Sequence, residues 1–196
     1  MKIRSIKLMP WVLLLIALLA RCTRISPTVS QEGKKIGKVL IVYYSWGGNT
    51  HELALQLQKK TGGELYRLET QKKYLPFPEV YQEAKEEINN GYLPELATPI
   101  PDIEDYDFIF IGSPVWWYSL APAMLTFLSQ CDFKGKPVAL FSTHEGELRG
   151  FNETFEKNVK NAQILPPRDF NITLMKNKNA LEEKISLWIK SIENEI

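Results

Sequence analysis

The chain has 196 residues, is 44% hydrophobic and 24% charged, and carries a formal net charge of +1. That length builds one domain of ordinary size with a full core, needing neither disulfides nor metals. The balanced charge excludes a basic nucleic-acid footprint and a strongly acidic docking surface.

Lys2, Arg4 and Lys7 precede an apolar run that ends at Ala20, and Cys22 follows. A basic start and a short apolar stretch describe a secretory signal. Counted from Leu8 the run has 13 residues, short of the ~20 that a transmembrane helix needs. Leu19-Ala20-Arg21-Cys22 is similar to a bacterial lipobox, with Arg21 standing where Gly, Ala or Ser is usual. We therefore expect residues 1–22 to be a signal or lipoprotein-like segment that exports the chain to the cell envelope. Membrane attachment would run through a lipidated Cys22 or an uncleaved anchor. A buried N-terminal helix is the alternative, and the all-round hydrophobicity and flanking charges argue against it. Residues 23–37 are polar with Gly and Pro and suit a tether, and residues 38–196 form the domain. Residues 1–22 hold four of the 24 basic residues and no acid, so the rest carries 20 basic and 23 acidic residues, a charge of −3.

The chain has two cysteines. If Cys22 is lipidated, Cys131 has no partner and no disulfide forms. Cys131 ends an apolar helical stretch and reads as a buried, inert thiol. No CxxC and no His/Cys cluster has metal-ligand spacing, so no metal site is predicted.

In chain order, Val39–Tyr44 is a β-branched and aromatic run of strand length. Residues 45–50 are polar and Gly-rich, and a helical pattern follows with Leu53 and Leu57, closing at Gly62-Gly63. Residues 64–69 alternate as a strand does. A Pro-punctuated loop (74–78) leads to a short helix over 79–89 with Val80, Ala84 and Ile88 on one face. Asn90-Gly91 stops it, and Pro94, Pro99 and Pro101 mark a second irregular stretch. Residues 108–112 are a fully apolar strand. Residues 120–131 read as a helix with Pro122 in its first turn. Residues 137–142 are another apolar strand, and 153–161 are helical. The last strand reads as split, 162–165 and 171–174, around Pro166-Pro167-Arg168-Asp169. Asn179 is the expected cap of the final helix, with Glu182 three on and Leu181, Ile185, Trp188, Ile189 and Ile192 in one stripe.

Apolar strands alternating with helices imply a parallel sheet covered on both faces. Such sheets bind ligands at the carboxyl ends of their strands. Three loops leave those ends. The first, Ser45-Trp46-Gly47-Gly48-Asn49-Thr50, offers close backbone approach, two hydroxyls and a helix N-terminus, and no Lys or Arg. Taken alone, it fits a plain strand-to-helix turn as well as a phosphate cradle. The second, Gly112-Ser113-Pro114-Val115-Trp116-Trp117-Tyr118, places two Trp and a Tyr after a buried strand. Those rings either join the core or stack on a planar ligand. The third runs Ser142-Thr143-His144-Glu145-Gly146-Glu147-Leu148-Arg149-Gly150, and backbone groups at Glu145, Gly146 and Glu147 are expected to reach the polar edge of the same ligand. His144 reads more simply as a hydrogen-bonded residue than as a catalyst, Glu145 and Glu147 as solvated, and His51 as a surface residue.

A phosphate cradle, an aromatic platform and a polar-edge loop on one rim describe a mononucleotide with a flat ring system. YYSWGGNT (43–50), GSPVWWYSLAPAMLTFL (112–128) and DFKGK (132–136) resemble the short-chain flavodoxin-like FMN proteins of bacteria, over nearly the whole domain. The resemblance implies a flavodoxin-like doubly wound α/β fold: a five-stranded parallel sheet in the order 2-1-3-4-5, with helices on both faces and FMN bound non-covalently. Ser45, Gly48, Asn49 and Thr50 match the FMN phosphate loop, with Trp46 and Gly47 between them. Ser113, Pro114, Val115, Trp116 and Trp117 match the loop flanking the isoalloxazine ring. Thr143, His144, Glu145 and Gly146 match the loop on its pyrimidine side. Two positions depart: Gly47 replaces a usual Ser or Thr, and Glu145, Glu147 and Arg149 intrude on a usually Gly-rich loop.

The functional expectation is an electron carrier of the cell envelope, with no catalytic side chain, whose partner is a redox protein or a quinone. An FMN-dependent NAD(P)H:quinone reductase is the alternative, with His144 and Tyr118 as weak proton-donor candidates. A non-catalytic envelope protein with a decayed flavin site is the third reading, motivated by the two departures.

Overall fold

The computed structural model describes residues 36–196. The signal segment, Cys22 and all but the end of the expected tether lie outside the described residues. Six strands and six helices follow in the order β1 (Val39–Tyr44), α1 (Asn49–Thr61), β2 (Glu64–Leu68), α2 (Glu79–Asn90), β3 (Phe108–Trp116), β4 (Ser119–Leu120), α3 (Pro122–Gln130), β5 (Pro137–His144), α4 (Phe151–Asn158), β6 (Gln163–Asn171), α5 (Ile172–Met175) and α6 (Lys178–Glu193). The sheet order is β2-β1-β3-β5-β6, all pairs parallel, with the short β4 paired antiparallel to β3. With β4 set aside, this is the expected 2-1-3-4-5 order.

Successive strand residues point to opposite faces, and here each face has its own core. Leu40, Val42, Ile109, Ile111, Val138 and Leu140 pack with Phe127 of α3 and Phe151 and Phe155 of α4. Ile41, Tyr43, Phe108, Phe110, Ala139 and Phe141 pack with Leu53 and Leu57 of α1 and Leu181, Ile185 and Trp188 of α6. This is why the central strands read as unbroken apolar runs. Trp188 is fully buried, and its indole N–H donates to the Pro166 carbonyl at 3.0 Å. Gly112 is required by packing: a Cβ there would sit 2.1 Å from Cζ of Phe141.

Several boundaries differ from the sequence reading, each for a local reason. The helix expected over 153–161 is α4, Phe151–Asn158, which ends where Val159 turns extended. The last strand is not split, because β6 runs through Pro166-Pro167. Ala139 pairs with Leu165 and Phe141 with Arg168, so a bulge places the two prolines opposite Leu140. A proline cannot donate to the ladder, and an edge strand with a bulge is where it fits. The expected strand at 171–174 is instead the short α5, because Asn171 Oδ1 accepts from Thr173 N at 2.8 Å and starts a helical turn. The cap of α6 is Asn177, not Asn179: its Oδ1 accepts from Ala180 N at 3.2 Å, and Asn179 already lies in the first turn.

The aromatic loop is also more ordered than a loop. β3 continues to Trp116 and folds back on β4 through a two-residue turn at Trp117-Tyr118, with Trp116 opposite Ser119. Both turn residues have left-handed φ, 50° and 63°, as a type I′ hairpin requires. That conformation is normally left to Asn and Gly, and bulky side chains hold it at a cost of about 1 kcal/mol or more each.

Candidate functional site

The carboxyl ends of β1, β3 and β5 open into one cleft of about 400 Å³, within the size range of small-molecule sites. The first loop contributes Trp46, Gly47, Asn49 and Thr50; the β3–β4 hairpin contributes Pro114, Val115, Trp116, Trp117 and Tyr118; the third loop contributes Thr143, His144, Glu145, Gly146 and Glu147. Of the expected site residues, Ser45, Gly48 and Ser113 do not line the cleft and support those that do. Ser45 is buried, and its Oγ accepts from His51 N at 3.1 Å. Gly48 holds φ at 92° and caps α1. Ser113 Oγ donates to the Pro114 carbonyl (2.9 Å) and accepts from Ala121 N (3.0 Å), tying the hairpin back to α3.

The first N–H groups of a helix have no intrahelical acceptor and carry the positive end of its dipole. His51 N is engaged by Ser45, and the two residues before it, Asn49 and Thr50 at the start of α1, both line the cleft. Thr50 Oγ1 lies 2.8 Å from Thr143 Oγ1, a buried bond between the first and third loops. One hydroxyl donates to the other, so a second O–H remains for a ligand. Arg67 on β2 is a cation the loop's own sequence does not contain. Its Nη2 donates to the Ser45 carbonyl (3.0 Å), and its Nε pairs with Glu69 (2.9 Å). Beneath the loop, the Tyr43 hydroxyl meets His51 Nδ1 at 2.7 Å. Burial raises the Tyr43 hydroxyl pKa, the Arg67 charge working against it.

The two tryptophans have different settings. Trp116 sits edge-on to Tyr44 and Tyr74, at ring distances of 5.8 and 5.0 Å, and is fixed into the wall. Trp117 is 41% exposed. Its indole N–H donates to the Tyr81 carbonyl at 2.9 Å, and the Lys85 ammonium sits 4.7 Å from its ring centre. Arg149 stands over the Tyr118 ring at 4.4 Å. These contacts hold the strained turn.

At the third loop, His144 Nδ1 meets the Gly146 carbonyl at 2.5 Å and Nε2 meets Asp169 Oδ2 at 3.2 Å. Asn171 Nδ2 donates to the Glu145 carbonyl at 3.2 Å. Burial pushes the Asp169 carboxyl up, but the His144 hydrogen bond and the Lys184 charge outweigh it and hold it below the usual range. Glu147 is paired with Arg149 at 2.6 Å, which offsets one of the two acids in this loop.

Sequence reasoning missed part of one wall. Val80, Tyr81 and Ala84 of α2, together with Ile172, also line the cleft. Val80 and Ala84 are the buried residues of α2, and both belong to the cleft rather than to either core. Their spacing revealed one apolar face on that helix but not what it faces.

Cys131 is buried and free, and burial pushes its thiol up to about 11, which suits an inert core residue. Among the described residues, no cluster of three His, Cys, Asp or Glu is placed to hold a metal, and no helix is long and apolar enough to cross a membrane.

The arrangement has counterparts. A crystallised flavoprotein from Lactobacillus acidophilus, in complex with FMN, is 27% identical; the match covers 68% of this chain and 93% of that one, with a TM-score of 0.61. A candidate flavoprotein from Bacteroides uniformis is 25% identical over 79% of this chain and 98% of its own, with a TM-score of 0.65. A flavodoxin from Haemophilus influenzae is 29% identical over 111 residues, 55% of this chain. The chain spans about half the length of that curated relative. The family model described as flavodoxin matches residues 38–192, from just before β1 into α6. With the sheet order, the three loops and that match in agreement, the chain belongs to the flavodoxin family.

Proposed function

We propose that this chain binds FMN in the cleft and serves as an electron-transfer protein held at the cell envelope. The observation that carries the reading is the convergence of three chemically distinct loops on one cleft, each matched to one part of a flat-ringed mononucleotide. FMN, when bound, supplies the redox chemistry, accepting and giving up one or two electrons.

The protein's part is to bind, orient and shield. The N–H groups of Asn49 and Thr50 and the Thr50–Thr143 pair are the donors for the phosphate end, with the Ser45 hydroxyl bracing the loop from beneath. Gly47 does not block the cradle: a Cβ there would meet nothing within 4 Å. Trp117 is the ring best set to stack on the flavin, being exposed on the cleft side and anchored through its N–H. Trp116 gives a fixed wall, and backbone groups at 145–147 serve the polar edge. No side chain need act as acid or base. The envelope setting rests on residues 1–22 alone, and the acceptor is a redox protein or a quinone.

The test is reconstitution of the full-length chain with FMN, followed by chemical reduction and mixing with a soluble quinone. A retained flavin spectrum that bleaches on reduction and recovers on adding quinone supports the carrier. Fast catalytic NAD(P)H consumption moves the reading to the quinone reductase. A chain that retains no flavin leaves the envelope protein with a decayed site.

A further inference from the structure

The cofactor reading leaves one polar cluster unused, at the junction of the third loop with the edge strand. His144 ends β5, and its side chain is 10% exposed. Both ring nitrogens face acceptors: Nδ1 the Gly146 carbonyl at 2.5 Å, Nε2 the Asp169 carboxylate at 3.2 Å. A neutral imidazole has one N–H, so it serves one of these partners and turns a lone pair on the other. The charged ring donates to both. The clamp ties the third loop to the edge strand, because Gly146 lines the cleft while Asp169 lies on β6.

The charged neighbours are accounted for from each element. On β6 the facing group is Asp169, which also draws the α6 ammonium of Lys184 to 3.6 Å. In the loop itself stand Glu145 and Glu147, the latter paired with Arg149. Of these charged groups Asp169 alone is in hydrogen-bond contact with the ring, and Lys184 shares its carboxylate.

We propose that His144 is a positioning residue that locks the third loop in its cleft-lining conformation when the ring is charged and loosens it when the ring loses a proton. Resting on the proposed flavin site, this makes flavin retention high at low pH and lower as pH rises through the ring's titration. The bonds that change are one N–H···O contact to Gly146 or to Asp169 and the ion pair with Asp169.

The probe is riboflavin, because the FMN phosphate itself titrates near pH 6. Full-length chain is titrated with riboflavin between about pH 5.5 and 8.5, together with the His144→Asn and Asp169→Asn variants. Loss of one charge-assisted bond corresponds to a drop of about tenfold in affinity across that range for the native chain. Both variants are expected to show a flat profile. A native profile as flat as the variants' overturns the proposal, as does a slope that survives both substitutions. With just two histidines in the chain, imidazole nitrogen spectra give an independent reading. Two protonated nitrogens at His144 at low pH, with the Gly146 amide shifting as one is lost, support the clamp. A ring that titrates without moving Gly146 overturns it. If neither riboflavin nor FMN binds at any pH, the cofactor reading fails, and the Gly146 response still decides the clamp.

Discussion

The floor and the wall of the cleft are built by different means. The floor is formed by strand ends whose residues are locked from both faces, as with Ile111 in one core and Phe110 in the other. The wall is formed by α2 and the β3–β4 hairpin, held by one indole hydrogen bond, edge-on rings and cations over aromatic faces. Phe77, Tyr81 and Trp117 form an exposed chain of rings there, with centres 5.6 and 6.0 Å apart. The floor spends its apolar surface on stability, whereas the wall keeps its own exposed toward a ligand or partner, the expected signature of a binding surface.

The largest effect tests the floor. Trp188→Ala removes a fully buried side chain and is expected to cost about 3–5 kcal/mol of stability, read by denaturant unfolding. A loss confined to flavin affinity would break the comparison. On the wall the expectation reverses. Tyr81→Ala should weaken FMN binding about tenfold, a change worth about 1.4 kcal/mol, while leaving the unfolding midpoint nearly unchanged. Replacing Trp117-Tyr118 by Asn-Gly sharpens the contrast. It supplies the residues a left-handed turn prefers, so stability should rise by about 1 kcal/mol while flavin affinity falls. Binding and melting measured on that one variant should move in opposite directions. Gly47→Ser places a hydroxyl in open space beside the phosphate end, and one added hydrogen bond of about 1 kcal/mol should tighten FMN several-fold. Riboflavin titrated alongside should not change. The smallest effect is on acid stability. The Asp169 carboxyl is held below its ordinary 3.8, so its contribution is full above that value and is lost as pH falls through the lowered one. Asp169→Asn should flatten that part of the stability profile.

How much of this was legible in the sequence follows the same division. The floor could be read because strands buried on both faces must be apolar throughout, and the loops leaving them keep their glycines and hydroxyls in sequence. Twelve of the 15 expected site residues line the cleft, and the other three brace it. The hairpin side of the wall was read through its tryptophans, but the α2 side and the hairpin's strand form could not be. Val80 and Ala84 reveal only that α2 has an apolar face. Trp-Tyr at the hairpin tip runs against turn chemistry, so a strand extending to Trp116 was hidden. Arg67 reaches the first loop from a neighbouring strand, and no spacing within the loop signals it. At β6 the prolines read as a break because the bulge that absorbs them exists only in the pairing with β5.

The most direct measurement is a fluorescence titration of the full-length chain with FMN and, separately, with riboflavin. Trp46, Trp116 and Trp117 all line the cleft, so binding should quench tryptophan and flavin emission together. FMN should bind more tightly than riboflavin because the α1 end holds its phosphate. Absence of quenching with either flavin, or equal affinity for the two, would contradict the account.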